Sequence, residues 1–334
     1  MLFPMDPLRL TRELIDIESI TGNEAQVGDY LYRFLSKLGY QVEKMPVEGT
    51  RNNIYATSNG TPDLVFSTHM DTVPPFIPSA EDREKIYGRG SCDAKGIIAA
   101  QIAAAERLRK KKSRIGLLFV VGEERDSQGA KEANRRAPGS RFLINGEPTE
   151  NKIGRASKGT LRVQLTAAGR MAHSAYPHLG ESAIEKLVEA LHRLLKMPLP
   201  QNPEIGPTTL NIGLIEGGRA PNVIADFAQA QLLYRLVGPT EKLRRDIQVA
   251  VTGLAEAEFA LEIPYIRLRT VDGVPEMIAA FTTDIPALTN WGEPVLLGPG
   301  SIHVAHTDGE FISKRELEDA VDLYVAVAVK LLDL

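Results

Sequence analysis

One cysteine, Cys92, stands among 334 residues, so no intrachain disulfide is possible and a reducing cytoplasm is the expected setting. Cationic excess is missing as well. Lys and Arg number 39 against 43 Asp and Glu, a net charge of -4, which points away from a nucleic-acid partner. The densest basic run, Arg109–Lys112, sits where a helix would end, and a helix C-terminus favours such charges in solvent. Long apolar runs are absent: Ile97–Ala105 and Ala320–Leu332 are too short or too polar to cross a bilayer. The segment Met1–Asp6 has no basic stretch followed by an apolar one, so no export signal is expected and no membrane partner either. There is no internal repeat and no low-complexity tract.

What is present is an ordinary globular composition, 43% hydrophobic and 25% charged, on a chain long enough for two domains. Asp6-Pro7 reads as a helix cap followed by a first-turn proline. A second helix runs through Val27, Leu31, Phe34 and Leu38 to stop at Gly39. Strand-like runs follow at Gln41–Lys44, Asn53–Thr57 and Leu64–Ser67, then an alanine-rich helix Ile97–Arg109 and a buried-type strand Ile115–Val121. Gln128–Arg136 reads as helix and Phe142–Asn145 as strand. This pace of alternation predicts an α/β layered fold with a central sheet flanked by helices.

The texture changes near Glu147. Gly159–Ala168 alternates with Leu161, Val163 and Leu165 on one face, and an amphipathic helix Ala183–Leu195 follows. Strands Thr208–Ile215 and Phe227–Leu236, helix Glu241–Leu254 and strand Phe259–Arg267 complete a strand–helix–strand–strand–helix–strand order. That is the split pattern of a small antiparallel α+β domain, ferredoxin-like in type. A helix near Pro275–Phe281, a strand Pro294–Leu297 and a helix Arg315–Leu332 return to the first texture. The expected division is therefore a discontinuous domain, 1–156 and 268–334, carrying an inserted domain 157–267.

Several polar residues end apolar strands, where open α/β sheets bind their ligands. His69 closes Leu64–Ser67, and Asp71 lies close enough to accept the second N–H of a ligating imidazole. Asp93 sits in the turn Gly88–Gly96, with a plain helix cap as the alternative. Glu123 and Glu124 follow a strand too apolar to be an edge, and adjacent carboxylates there repel unless a cation or proton intervenes. Glu147 ends another short strand, and His306 and His303 compete in the segment Gly298–Glu310. Each has a bland reading as a turn residue. Together, five donors of imidazole and carboxylate type suit two zinc-like ions sharing one carboxylate, a two-metal hydrolase. Cys92 reads as a buried small residue, His192 as a surface residue, and His178 takes no role.

The segments Ser67–Val73, Tyr87–Gly96, Gly122–Glu124, Asn145–Pro148, Gly169–Pro177, Pro221–Ala225 and Gly298–Glu310 together resemble the M20 metallopeptidases and amidohydrolases. Within them they look most like the branch of acetylornithine deacetylase, succinyl-diaminopimelate desuccinylase and acyl-lysine hydrolases. The resemblance implies a zinc-peptidase-like catalytic domain and an inserted lid and dimerisation domain. It implies two Zn2+ per chain, replaceable by Co2+ or Mn2+, with Asp93 bridging, His69 and Glu147 on one ion, and Glu124 and His306 on the other. Glu123 would be the general base and Asp71 the orienter of His69. His173 would stabilise the oxyanion in a partner subunit's site of a homodimer. Asn222, Arg235, Gly300 and Ser301 would hold the substrate carboxylate. The implied activity is hydrolysis of an N-acyl amino acid, with a dipeptidase or carboxypeptidase as the alternative and a non-catalytic binding protein as the rival class. Arg125-Asp126-Ser127 departs from the small or apolar residues common after the glutamate pair.

Overall fold

A computed structural model describes residues 5–58, 60–111 and 113–333. The reading of Met1–Pro4 and the end of the basic run at Lys112 lie outside the described residues. The chain divides into two compact units: Met1–Arg155 with Leu268–Met277 and Thr283–Leu334, and Ala156–Arg267 with Ile278–Thr282. No described helix is long and apolar enough to cross a membrane.

The first unit is built on a mixed sheet whose strands run, in spatial order, Gln41–Glu48, Arg51–Thr57, Ile115–Val120, Leu64–His69, Phe142–Asn145 and Glu293–Leu296. The last four are parallel, and the first two join them as an antiparallel pair whose second strand also runs antiparallel to Ile115–Val120. Every residue of Leu64–His69, Ile115–Val120 and Phe142–Asn145 is buried, which is why these strands read as continuous apolar runs rather than alternating ones. From Leu64–His69 the chain passes to Ile115–Val120 on one side and then to Phe142–Asn145 on the other. The order reverses there, so the loops after His69, Val120 and Asn145 open at one edge of the sheet. Helix Lys95–Lys110 is buried almost all round among the core residues of helices Pro7–Ile15 and Lys314–Leu331.

The second unit is a four-stranded antiparallel sheet in the order Thr209–Gly217, Phe227–Leu236, Gly159–Ala168, Glu256–Ile263. Leu161, Val163, Leu165, Leu232 and Tyr234 pack with Leu187, Leu194, Leu243 and Ile247 of helices Ala183–Lys196 and Glu241–Val251. Order and connectivity are those of the split βαβ motif.

Two sequence expectations need correction. Pro275–Phe281 is not helical; Glu276–Ala279 is a strand. Pro275 O accepts from Ile153 N at 2.8 Å and Ala279 O from Lys158 N at 2.9 Å, so a neighbouring strand end captures a segment too short to sustain a helix. That strand, Ile153–Ser157, has no counterpart in the sequence reading. The segment Ile278–Thr282, expected with the residues after 268, groups with the second unit, where Phe281 O also accepts from Ser157 Oγ at 2.6 Å.

Asn53, fully buried, accepts from Val121 N at 3.1 Å and donates to Gly129 O at 2.8 Å, closing the loop between them. A Cβ on Gly129 would meet Val121 O at 2.3 Å and Val121 N at 2.6 Å, both main-chain atoms. Gly129→Ala is expected to cost about 1–3 kcal/mol in urea unfolding; a variant as stable as wild type contradicts this loop packing.

Candidate active site and metal centre

His69 is the last residue of its strand and is buried. Its Nδ1 lies 2.9 Å from the main-chain oxygen of Asp71, so Nδ1 carries the proton and Nε2 is free to act as a ligand. Asp93 comes from the turn that opens helix Lys95–Lys110. It is not the helix cap: Ala94 occupies that place, and the Asp93–Ala94 peptide is cis. One buried carboxylate shapes the turn. Glu310 Oε1 accepts from Gly90 N at 3.0 Å, Cys92 N at 3.2 Å and Asp93 N at 3.3 Å, while Oε2 takes Arg89 Nη1 at 2.7 Å. Arg89 Nη1 also reaches Thr307 O at 3.0 Å, tying the turn to the loop of His306.

The two sides of the Asp93 carboxylate face two imidazoles. Oδ1 lies 3.0 Å from His69 Nε2, and Oδ2 lies 3.3 Å from His306 Nε2. His306 Nε2 is also 2.9 Å from Glu124 Oε1. One donor atom each from His69, Asp93 and Glu124 fall within 4.8 Å of one another. Glu147 is buried, and its Oε1 has no hydrogen-bond partner. His306 holds a left-handed φ of 64°, a backbone conformation retained when surrounding contacts over-determine it. Both His303 and His306 are exposed, and it is His306 that contacts Asp93 and Glu124, so geometry favours His306 where spacing left the two open.

Electrostatically the cluster has too much negative charge. Loss of water raises the carboxyl of Glu123 well above the usual range, and the charge of Glu147 adds to it; burial likewise raises Glu147 and Glu124. Burial also opposes ionisation of Asp93, but hydrogen bonds with His306 and His69 win and hold its carboxyl below the usual range. Asp93 and Glu124 push His306 up to about 10. The imidazoles and carboxylates of His69, Asp93, Glu124 and His306, with a buried and unpartnered Glu147 oxygen besides, are a donor set that suits divalent cations of the zinc type. Cations would replace the protons these groups otherwise hold.

The Asp71 carboxylate lies beside His69, 3.6 Å from Nδ1, while the nearer partner of the ring is the Asp71 main-chain oxygen at 2.9 Å. Gly300 and Ser301 are otherwise engaged. Gly300 N donates to Glu316 Oε1 at 2.8 Å and Ser301 Oγ to Glu150 Oε1 at 2.8 Å, which removes both as free donors to a substrate carboxylate. In the second unit His173 pairs with Val223 beside Asn222, and Ser174 N donates to Asn222 O at 3.0 Å. Arg235 donates to Thr160 Oγ1 at 2.9 Å.

Four residues escaped the sequence reading. Arg89 and Glu310 lay inside quoted motifs, but nothing local shows that they pair. Thr21 gave no signal at all. Asp284 is buried with both carboxylate oxygens unpartnered, and burial pushes it up to about 7. It opens the short helical turn Ile285–Ala287 rather than ending a strand, so the pattern that found the others passes over it.

The comparisons with known proteins come to bear on this geometry. Residues 155–261 match the M20 peptidase dimerisation domain. A peptidase M20 domain-containing protein of Schizosaccharomyces pombe is 38% identical over 95% of this chain and 82% of its own length. The chain belongs to the M20 peptidase family. A probable carboxypeptidase of Aspergillus terreus is 39% identical over 95% of this chain and 84% of its own length. The M20 fold recurs in a tripeptidase of Staphylococcus aureus, with a TM-score of 0.83 at 24% identity over 99% of each chain. An M20 metallo-carboxypeptidase of Sulfolobus solfataricus gives 0.76 at 17% identity, over 98% of this chain and all of that one. This M20 chain is thus a hydrolase of the peptidase family, and the names of these relatives do not repeat the acetylornithine deacetylase branch expected from the motifs.

The orphaned Asp284 gives a pH prediction. Its carboxyl is raised above the unfolded value of about 3.9, so the cost of ionising it is absent below that pH and complete once pH passes the folded value of about 7. In chelator-treated protein, Asp284→Asn should exceed wild type by roughly 1–3 kcal/mol at pH 8, with the gap closing as pH falls towards 4. Urea unfolding across that range checks it, and a gap independent of pH counts against the assignment.

Proposed function

We propose that this chain is a metal-dependent carboxypeptidase-type hydrolase, cleaving an amide whose leaving amine is an amino acid. The observation that carries the reading is the Asp93 carboxylate with an imidazole on each side, His69 at 3.0 Å and His306 at 3.3 Å. His69 and Glu147 would hold one divalent ion, Glu124 and His306 the other, with Asp93 shared; Zn2+ is the proposed ion, and Co2+ or Mn2+ are substitutes. When bound, such a pair supplies Lewis acidity, polarising the amide carbonyl and making water acidic enough to be deprotonated. Glu123, next to the ligand Glu124 but not itself facing an imidazole, takes the proton of the attacking water. The water oxygen adds to the carbonyl carbon, the C–N bond breaks, and Glu123 returns the proton to the leaving nitrogen. A carboxylate and a free amine result.

His173 is proposed to donate to the oxyanion developing in a partner subunit's site. Ala175 N donates to its Nδ1 at 3.1 Å, which leaves the proton on Nε2. Arg235 and Asn222 are the proposed contacts of the substrate carboxylate, through a planar fork and an amide. The names of the fungal relatives support the carboxypeptidase form. Deacylation of an N-acyl amino acid is the same bond cleavage with an acyl group in place of a peptide. A panel of N-acetyl and N-succinyl amino acids, N-blocked dipeptides and free dipeptides tests the reading on metal-loaded protein. Faster cleavage of blocked peptides is expected; release of acetate or succinate alone returns the protein to the deacylase branch, and no turnover of any member overturns the proposal.

Glu123→Gln should lower kcat by about 10³-fold or more while bound metal per chain stays at the wild-type level. Retention of wild-type turnover would sink the base assignment. A homodimer is proposed through the second unit, whose edge strand Thr209–Gly217 exposes Leu214 and Ile215. An exposed edge with apolar side chains invites pairing with another chain. Ile215→Lys should shift the mass in light scattering from two chains towards one, and a wild type that runs as a monomer contradicts the dimer.

A further inference from the structure

We propose that Thr21 is a positioning residue for the general base, acting through Asp71. The inference rests on Glu123 being that base. The Asp71 side chain is fully buried, and three donors converge on it. Oδ1 accepts from Glu123 N at 3.1 Å; Oδ2 accepts from Glu124 N at 3.2 Å and from the Thr21 hydroxyl at 2.9 Å. His69 Nδ1 stands farther off, 3.6 Å from Oδ1, and makes its nearer contact, 2.9 Å, with the Asp71 main-chain oxygen. The Asp71 carboxylate is therefore a clamp on the main chain of the two glutamates. It fixes where both side chains start.

Thr21 decides which way that carboxylate turns. His69 Nδ1 is only 3.6 Å from Oδ1, so a rotation of the Asp71 side chain would exchange the Glu123 amide for the imidazole. The Thr21 hydroxyl makes the shortest of the three contacts and holds Oδ2 against that rotation. Thr21 is itself held by its neighbours. Ser19 Oγ donates to Met70 O at 2.8 Å, Thr72 N to Ser19 O at 3.0 Å, and Thr21 N to Thr72 O at 3.1 Å, so the segment lies zipped along Met70–Thr72. Directly after the Ile20–Asn23 turn, Glu24 grips Arg51 through both oxygens, at 2.7 and 2.8 Å, and Arg51 Nη1 reaches Gln128 Oε1 at 3.2 Å on the far side of the base loop. One loop, Ser19–Glu24, thereby holds both strand-end loops of the site.

The test compares metal-loaded wild type, Thr21→Val, which keeps the shape and removes the hydroxyl, and Thr21→Ser, which keeps the hydroxyl. Amide hydrogen exchange of a peptide covering 121–125 should quicken by about fivefold or more in the valine variant, with the strand Leu64–His69 unchanged. Its kcat should fall about tenfold with KM and bound metal within about twofold, since a misplaced base slows chemistry without weakening binding. Thr21→Ser should restore all of these. Unchanged exchange at 121–125 in the valine variant overturns the proposal whatever the activity. Faster exchange throughout the sheet, or a loss of bound metal in step with kcat, overturns it too, because Thr21 would then be a general prop or a support for His69. If the wild type hydrolyses no amide, the functional reading fails, and the exchange result still decides the role of Thr21.

Discussion

The Glu310 carboxylate is the constraint on which the site is built. It lies in the loop after His306, yet one of its oxygens collects the main-chain N–H groups of Gly90, Cys92 and Asp93. A turn that aims three amides at one point has little conformational freedom, so the direction of the Asp93 side chain follows from the position of Glu310. Arg89 completes the arrangement by pairing with the other oxygen at 2.7 Å and bonding Thr307 O. Two loops more than 200 residues apart in sequence are thus joined through one carboxylate. A buried ion pair is weak support for stability when compared with an apolar pair of the same volume. Its use here is geometric: it fixes the separation of Asp93 from His306, which no apolar contact would do with the same directionality.

The cost of that geometry appears in the site itself. Glu123, Glu124 and Glu147 are all driven towards protonation by loss of water, and His306 sits in a left-handed backbone conformation. Natural sequences tolerate such local conflict where function requires it and compensate elsewhere. The compensation is visible in the strands: Leu64–His69, Ile115–Val120 and Phe142–Asn145 expose nothing, so each loop that carries an acid leaves a rigid, wholly buried element. A second buried pair, Glu24 with Arg51, supports the base loop from behind.

This explains what could be read from the sequence. His69, Glu123, Glu124 and Glu147 were visible because each breaks an apolar strand with a group that does not belong in a core. The mixed sheet and the split βαβ unit were visible because burial on both faces, or on one, writes itself into the period of the apolar residues. Contacts that depend on a partner distant in sequence were not. Nothing in Thr307–Glu310 announces that its glutamate will organise a turn at Gly90, and nothing near Asp71 says that its carboxylate will accept from two amides as well as lie beside an imidazole. The Gly300 amide and the Ser301 hydroxyl are likewise bound by Glu316 and Glu150, contacts that pattern alone does not bring near. At Pro275–Phe281 the helix-forming residues were read correctly, but a strand end with free main-chain groups took precedence over local propensity.

The buried acids among the described residues also sort themselves by how their charge is met, and the sorting separates scaffold from chemistry. Six are buried, all in the first unit: Glu24, Asp71, Asp93, Glu147, Asp284 and Glu310. Glu24 and Glu310 are answered by arginines, and Asp71 by two amides and a hydroxyl. These three are satisfied by the protein alone, so their work is architectural. Asp93 is met only by imidazoles, which are themselves cation ligands, and one oxygen of Glu147 is met by nothing. A buried carboxylate left in that state needs a proton or a metal ion. Asp93 stands with His69 and Glu124 in a cluster whose donor atoms a cation can share, whereas Asp284 is not in that cluster and burial favours its proton. The same rule, that no buried charge stays unanswered, is met by protein partners at Glu24, Asp71 and Glu310 and leaves a cation as the proposed partner of Asp93.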